Sequence, residues 1–464
     1  MSAIPLGLSA YKRADLPPAL LANMYYEKTP ANLEDQVVLM PRPRLKQFAV
    51  AGAGPMRGLF RKGGVIGDKI LALSGANLYR VEPSADGIGT PTLIDDITGD
   101  GRMSAEGNTS VVVLAAGANA YSTDGTTIST ITVPDGQNII AVDTLNSYFL
   151  FQPANTGRFY WSAIGGTTID ALDYATAESQ PDNTTTLKVV GDVLWLVGRL
   201  SLEPWQPTGD LDLPFQRING RIFGIGCVAR DTVQKLGVNG DETMCWVGAD
   251  GKVYRLAPNP TPISDKGMEE RIAKADAATL YATTYRWIGR EFYVLHIPGQ
   301  GSFACDLSTG FWGELSSFER DLFRGAVSTV GPADQPLLGD DESGRIWEFS
   351  EEERTDAGDP VVFEFSGLLQ NSGAPIRCNN VLLNASVGMT PDPENDPMIQ
   401  MAYSGDEGET WSNWLTIPLG RQGRRLTRLL WSRLGLIKRP GRVFKWSTTE
   451  PITVRAAKYN EAYQ

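Results

Sequence analysis

A single histidine, His296, stands in the whole 464-residue chain, and the four cysteines, Cys227, Cys245, Cys305 and Cys378, are scattered with no CxxC pair. That scarcity excludes much chemistry. A zinc centre needs clustered nitrogen and sulfur ligands, which this chain cannot supply from one local motif. A Ser-His-Asp or Cys-His machine has one candidate base, and no G-x-S-x-G elbow accompanies it. His296 itself lies in "EFYVLHIPG", a strand-like apolar run, and is expected to be a packed side chain. "GAGPMRG" from Gly52 lacks the lysine of a phosphate-binding loop and reads as a turn. So few, unpaired cysteines do not suggest disulfide stapling and fit assembly in a reducing cytoplasm. No apolar run approaches the roughly 18 residues of a membrane helix. The start, "MSAIPLGLSAYKRADLPP", has neither a long apolar core nor a cleavage-like end, so neither signal peptide nor membrane span is expected. No cofactor, metal or catalytic residue is expected.

What the chain has in quantity is glycine, 49 residues, with only 21% charged residues. Short runs of Val, Ile, Thr, Tyr, Phe and Trp are punctuated by "DG", "NG" and "GG", which favours an all-β fold. The runs repeat. "LSGANLYRVEP" (Leu73 to Pro83) returns as "GADGKVYRLAP" (Gly248 to Pro258), with looser copies around Tyr121, Tyr160, Phe303 and Trp347 and a degenerate one, "GRLSLEPWQP", around Trp205. The seven aromatics recur at steps of 39 to 49 residues, the length of a four-stranded propeller blade. Apolar runs such as "SVVVLAA" and "DVLWLVG" precede the copies and suit buried inner strands. About seven blades are expected over residues 48–350, with six as the alternative because the Trp205 copy is weak. One helix is expected in "SDKGMEERIAKADAATLY", capped by Ser264 or Asp265.

Residues 1–47 are Pro-rich and read as an extended arm, 351–360 ("EEERTDAGDP") as a charged linker, and 361–464 as a separate β-sandwich-like assembly domain. Within it, "SGDEGETW" fits the Asp-box S-x-D-x-G-x-T-W. Ser404, Asp406, Gly408 and Trp411 are expected to form a structural hairpin turn: the carboxylate accepts backbone N–H groups, the glycine supplies positive φ and the tryptophan packs beneath. Asp-boxes resemble those of sialidases, but there they come in several copies within the blades.

Charge is unevenly placed. Net charge is −12, yet Trp411 to Lys445 holds nine Lys or Arg and no acid, leaving 33 basic against 54 acidic groups elsewhere. Leucines interleave with these arginines. Arg421, Arg424, Arg425, Arg428, Trp431, Arg433, Lys438 and Arg439 are therefore the candidate assembly interface, with a plain solvated face or a DNA patch as the other readings.

The order "NMYYEKTP", "MPRPRLKQF", "ARDTVQKLG…CWVGADGKVYRLAPNPTPISDKGMEERI", "GQGSFACDLSTGFWGELSSF" and "SGDEGETWSNW…LGRQGRRLTRLLWSRLG" resembles the tail hub, or packaged-DNA stabilisation, proteins of short-tailed bacteriophages over nearly the whole chain. The resemblance implies a non-enzymatic virion protein, assembled in the host cytoplasm, six copies of which form a nozzle below the portal and adaptor rings. Tail needle or spike proteins would lie around or below it, and genomic DNA would be retained by it and ejected through it without tight binding. The alternative is a propeller adhesin that binds glycans, or an inactive sialidase-like protein.

Overall fold

A computed structural model describes residues 1–461 apart from 14–15, 29–36, 84–86, 178–179, 181, 239 and 390–395. Seven antiparallel four-stranded meanders follow one another around an axis: 56–96, 104–131, 139–176, 184–217, 234–262, 281–315, and 325–350 closed by the strand Arg44–Val50. We number them blades 1 to 7. Six are separate four-stranded sheets. Blade 6 is instead the first part of a nine-stranded sheet that runs on, through Leu21–Ala22, into the C-terminal sandwich.

The repeat in the sequence is the hairpin of each blade's second and third strands. Tyr79, Tyr121, Tyr160, Trp205, Tyr254, Phe303 and Trp347 all lie on third strands, opposite Ala72, Leu114, Phe151, Leu194, Trp246, Leu295 and Leu338 of the second. The apolar runs are those second strands, one place outward from the axis and buried as expected. They are continuous runs because both faces are covered. In blade 2, Val112 and Leu114 pack on blade 1 while Val113 and Ala115 pack on blade 3. The weak copy at Trp205 is a complete blade; its hairpin is disguised by Glu203 and Pro204 in the third strand. "GAGPMRG" is a turn only at its start, since Met56–Phe60 is the first strand of blade 1. The expected helix is Lys266–Lys274, its N-terminus capped by Asp265, which accepts from the Met268 amide at 2.8 Å.

Residues 361–461 form two facing sheets. One is Phe363–Gln370, Gly441–Thr448, Met398–Ser404 and Leu415–Pro418; the other is built on Ile376–Ala385, Val454–Glu461 and Leu429–Ser432. Their core is continuous with that between blades 5 and 6.

The N-terminal residues are no free arm. Ser2–Ile4 pairs with Val454–Glu461, and Leu21–Ala22 bridges blade 6 to the sandwich. The hairpin of Met24–Lys28 and Val37–Pro41 joins the second sheet, and Arg44–Val50 completes blade 7, so the expected boundary at 47/48 falls inside a strand. Charged groups lock this junction. Arg42 makes a two-pronged pair with Asp356 (2.6 and 3.2 Å), both side chains 2% exposed, and donates to Asn23 Oδ1 at 2.8 Å. Asp356 also accepts the Leu45 amide, so the expected linker is anchored at its middle.

Candidate assembly surface and Asp-box hairpin

The Asp-box lies in the turn between Met398–Ser404 and Leu415–Pro418. Ser404 donates to Asp406 Oδ1 at 2.6 Å and accepts the Gly408 amide at 2.8 Å; Asp406 accepts the Thr410 amide at 2.9 Å and the Thr410 hydroxyl at 2.5 Å. These donors stabilise the carboxylate and hold its pKa down to about 2. Gly408 has φ of 99°, and a Cβ there would stand 2.8 Å from Pro18 of the N-terminal segment, so glycine is required for conformation and for space. Trp411 is half-buried. The Lys445 ammonium sits 4.6 Å from its ring centre and 4.8 Å from that of Trp414, a cation held between two indole faces. Lys445 and Trp414 were not anticipated as partners, because 31 residues of chain separate them.

The basic stretch does not form one patch. Arg421, Arg424, Arg425 and Arg428 are exposed on the loop before the edge strand Leu429–Ser432, and this loop is tied to Gly388. Arg433, Lys438 and Arg439 are exposed beyond the other end, where the Arg433 backbone amide donates to the Asn379 carbonyl and the Arg439 guanidinium to the Gly373 carbonyl. Five residues of extended chain put Arg428 and Arg433 roughly 16 Å apart. Trp431, expected at the interface, is 3% exposed and donates from Nε1 to the Leu415 carbonyl, so it is a core residue. The period of two explains this: Leu429 and Trp431 face inward, while Ser432 points outward. Leu434 is buried as well, whereas Leu426 is 99% exposed and Leu436 52%. Arg442 turns inward, donating to the carbonyls of Leu434 and Leu436 over the Tyr403 ring. Arg421 pairs with Asp396 at 3.1 Å; Arg424, Arg425 and Arg428 make no ion pair among the described residues.

His296 is buried, stacked on Tyr281 with ring centres 4.4 Å apart, its Nδ1 2.8 Å from Ser302 Oγ. Burial, with Arg102 nearby, lowers its pKa to about 3, so it is neutral at pH 7. All four cysteines are buried and none is in a disulfide. Among the described residues no cluster of three or more His, Cys, Asp or Glu could hold a metal, and no helix is long and apolar enough to cross a membrane.

Two family models cover the chain: bacteriophage P22 Gp10, beta-propeller, over residues 2–353, and bacteriophage P22 Gp10, beta-sandwich, over 363–460. The chain belongs to this Gp10 family. It is thus a bacteriophage structural protein of the virion, of the tail hub and stabilisation type. Comparison with curated proteins gives no match. Solved structures similar to it include the WD40 propeller domain of Doa1 (10% identity, TM-score 0.44, 67% of this chain and 98% of that one) and a streptogramin B lyase (10%, 0.46, 67% and 98%). Virginiamycin B lyase from Staphylococcus aureus is another (12%, 0.43, 66% and 99%). These likenesses are too weak to bear on activity.

Proposed function

We propose that this Gp10-family chain assembles into an oligomeric tail hub, with six copies forming a tube below the portal and adaptor and other tail proteins around or beneath it. It retains packaged DNA and conducts it at ejection, without catalysis. Family membership along both domains carries this reading. The charge supports it: at −12 per chain, six copies carry −72, so a lumen lined by the acidic surface repels DNA and avoids phosphate contacts that ejection would have to break. The exposed loop 421–428, with three arginines that make no ion pair among the described residues around a fully exposed Leu426, is the proposed contact with an acidic neighbour, whether subunit or adjoining ring. The Asp-box is a turn device that holds the loop before Leu415, and not a catalytic carboxylate. The strands Ser2–Ile4, Leu21–Ala22, Met24–Lys28, Val37–Pro41 and Arg44–Val50 act as the strap that fixes propeller to sandwich.

Native mass spectrometry and negative-stain imaging of the purified chain test the assembly, alone and with portal-adaptor complexes. Closed rings, and particles that leak DNA when the chain is omitted, are expected. A chain that stays monomeric with those complexes, together with particles that keep their DNA without it, would overturn the reading.

A further inference from the structure

The innermost strands of the propeller enclose an axial cavity of about 210 Å³ to which every blade contributes residues. It is strongly cationic. Arg57, Arg102, Lys188 and Arg230 line it against one carboxylate, Asp231, and that carboxylate is already bound by Arg230 at 2.7 Å.

The other cations are held in place without being neutralised. Arg57 donates to the carbonyls of Gly75 and Gly101 at 2.7 and 2.6 Å. Arg102 donates to the Ala326 carbonyl at 3.0 Å and lies over the Tyr281 ring, 3.6 Å from its centre. Lys188 makes no ion pair among the described residues; Asp143, the nearby carboxylate, directs its oxygens to the amides of Thr144 and Val189. An independent sign comes from Thr283. Its residue is 2% exposed, it lines the same cavity, and its hydroxyl has no hydrogen-bond partner among the described residues. A buried hydroxyl left unsatisfied beside excess positive charge is the complement of an anion with several acceptor oxygens.

We propose that this axial cavity is a binding site for a small oxyanion of the phosphate class. A tetrahedral anion offers acceptors in several directions, which suits guanidinium, ammonium and hydroxyl donors arriving from different blades. At about 210 Å³ the cavity suits a small anion, and the surrounding blades exclude a duplex. The site is a property of one propeller and does not depend on ring assembly.

Isothermal titration of the full chain with inorganic phosphate, at ionic strength held constant with sodium chloride, tests this. One saturable site per chain is expected. Lys188→Gln and Thr283→Val should each weaken binding by about tenfold while leaving the melting temperature in chloride unchanged, and phosphate should raise the melting temperature of the parent more than that of either variant. A duplex oligonucleotide at matched phosphate concentration should not compete. Absence of saturable heat, binding indifferent to both variants, or displacement of phosphate by duplex would each overturn the proposal. If Lys188→Gln fails to fold, Thr283→Val, which keeps size and loses only the hydroxyl, decides it alone.

Discussion

His296 and Asp406 show how single positions set pH behaviour in opposite ways. The imidazole has an ordinary pKa of 6.5 that burial lowers to about 3, so the folded chain refuses a proton that the unfolded chain accepts. Stability from keeping it neutral is therefore full above 6.5 and is lost as pH falls towards 3. His296→Gln removes that proton uptake. The stability advantage of the parent over this variant should shrink by about 1.4 kcal/mol per pH unit between pH 6 and 4, measured by urea unfolding at each pH. A pH-independent difference would show that the ring takes up a proton as readily in the fold as in the unfolded chain. Asp406 is depressed, from 3.8 to about 2, so its contribution is present above 3.8 and lost as pH falls through 2. Asp406→Ala should lower the melting temperature at pH 7, with the gap closing below pH 4, and should abolish no hydrolysis of sialosides or other glycosides. A glycosidase activity lost in this variant would reassign the residue. The Asp-box was legible because its contacts span four residues; the Lys445 cage was not, because its two tryptophans lie 34 and 31 positions away in sequence.

Elements were legible where burial wrote a local pattern. Second strands packed on both faces became apolar runs, and third-strand aromatics kept the spacing of the blades, so the propeller could be read from one sequence. The N-terminal strands could not: they are two to seven residues long, and Ser2 pairs with Tyr459, a separation no periodicity reports. The clue that did exist was the pair of arginines in "MPRPRLKQF", since arginines amid prolines and apolar residues call for partners. Arg42 finds Asp356 across 314 residues, in a site with almost no solvent. Removing either member leaves the other charge buried alone, so Arg42→Met or Asp356→Leu should cost about 3 to 5 kcal/mol. The double variant should cost less than the sum of the two. Guanidinium midpoints at unchanged slope measure this; additive costs would mean that the pair does not hold strap, linker and blade 7 together.

At the scale of the whole molecule, an acidic chain carries one stretch rich in basic residues and without acids, and seven of its nine cations lie on two loops at opposite ends of one edge strand. Charged flanks can serve merely to keep an edge strand from pairing with another chain, and that role makes no distinction between the two ends. A docking role does distinguish them: both ends carry three cations with no ion pair among the described residues, but the loop 421–428 sets its three arginines around a leucine that is 99% exposed. Replacing Arg424, Arg425 and Arg428 together by Ser removes three charges that make no ion pair among the described residues, so stability should change by no more than about 0.5 kcal/mol per site. Ring formation or attachment to the portal complex should nevertheless be lost. Replacing Arg433, Lys438 and Arg439 removes the same charge from the far end and should leave assembly intact. Equal defects from both triples would mean that net charge, and not a docking loop, governs assembly. If rings and attachment survive the first triple while duplex affinity, steep in salt, falls, the loop is a DNA contact and the interface assignment fails.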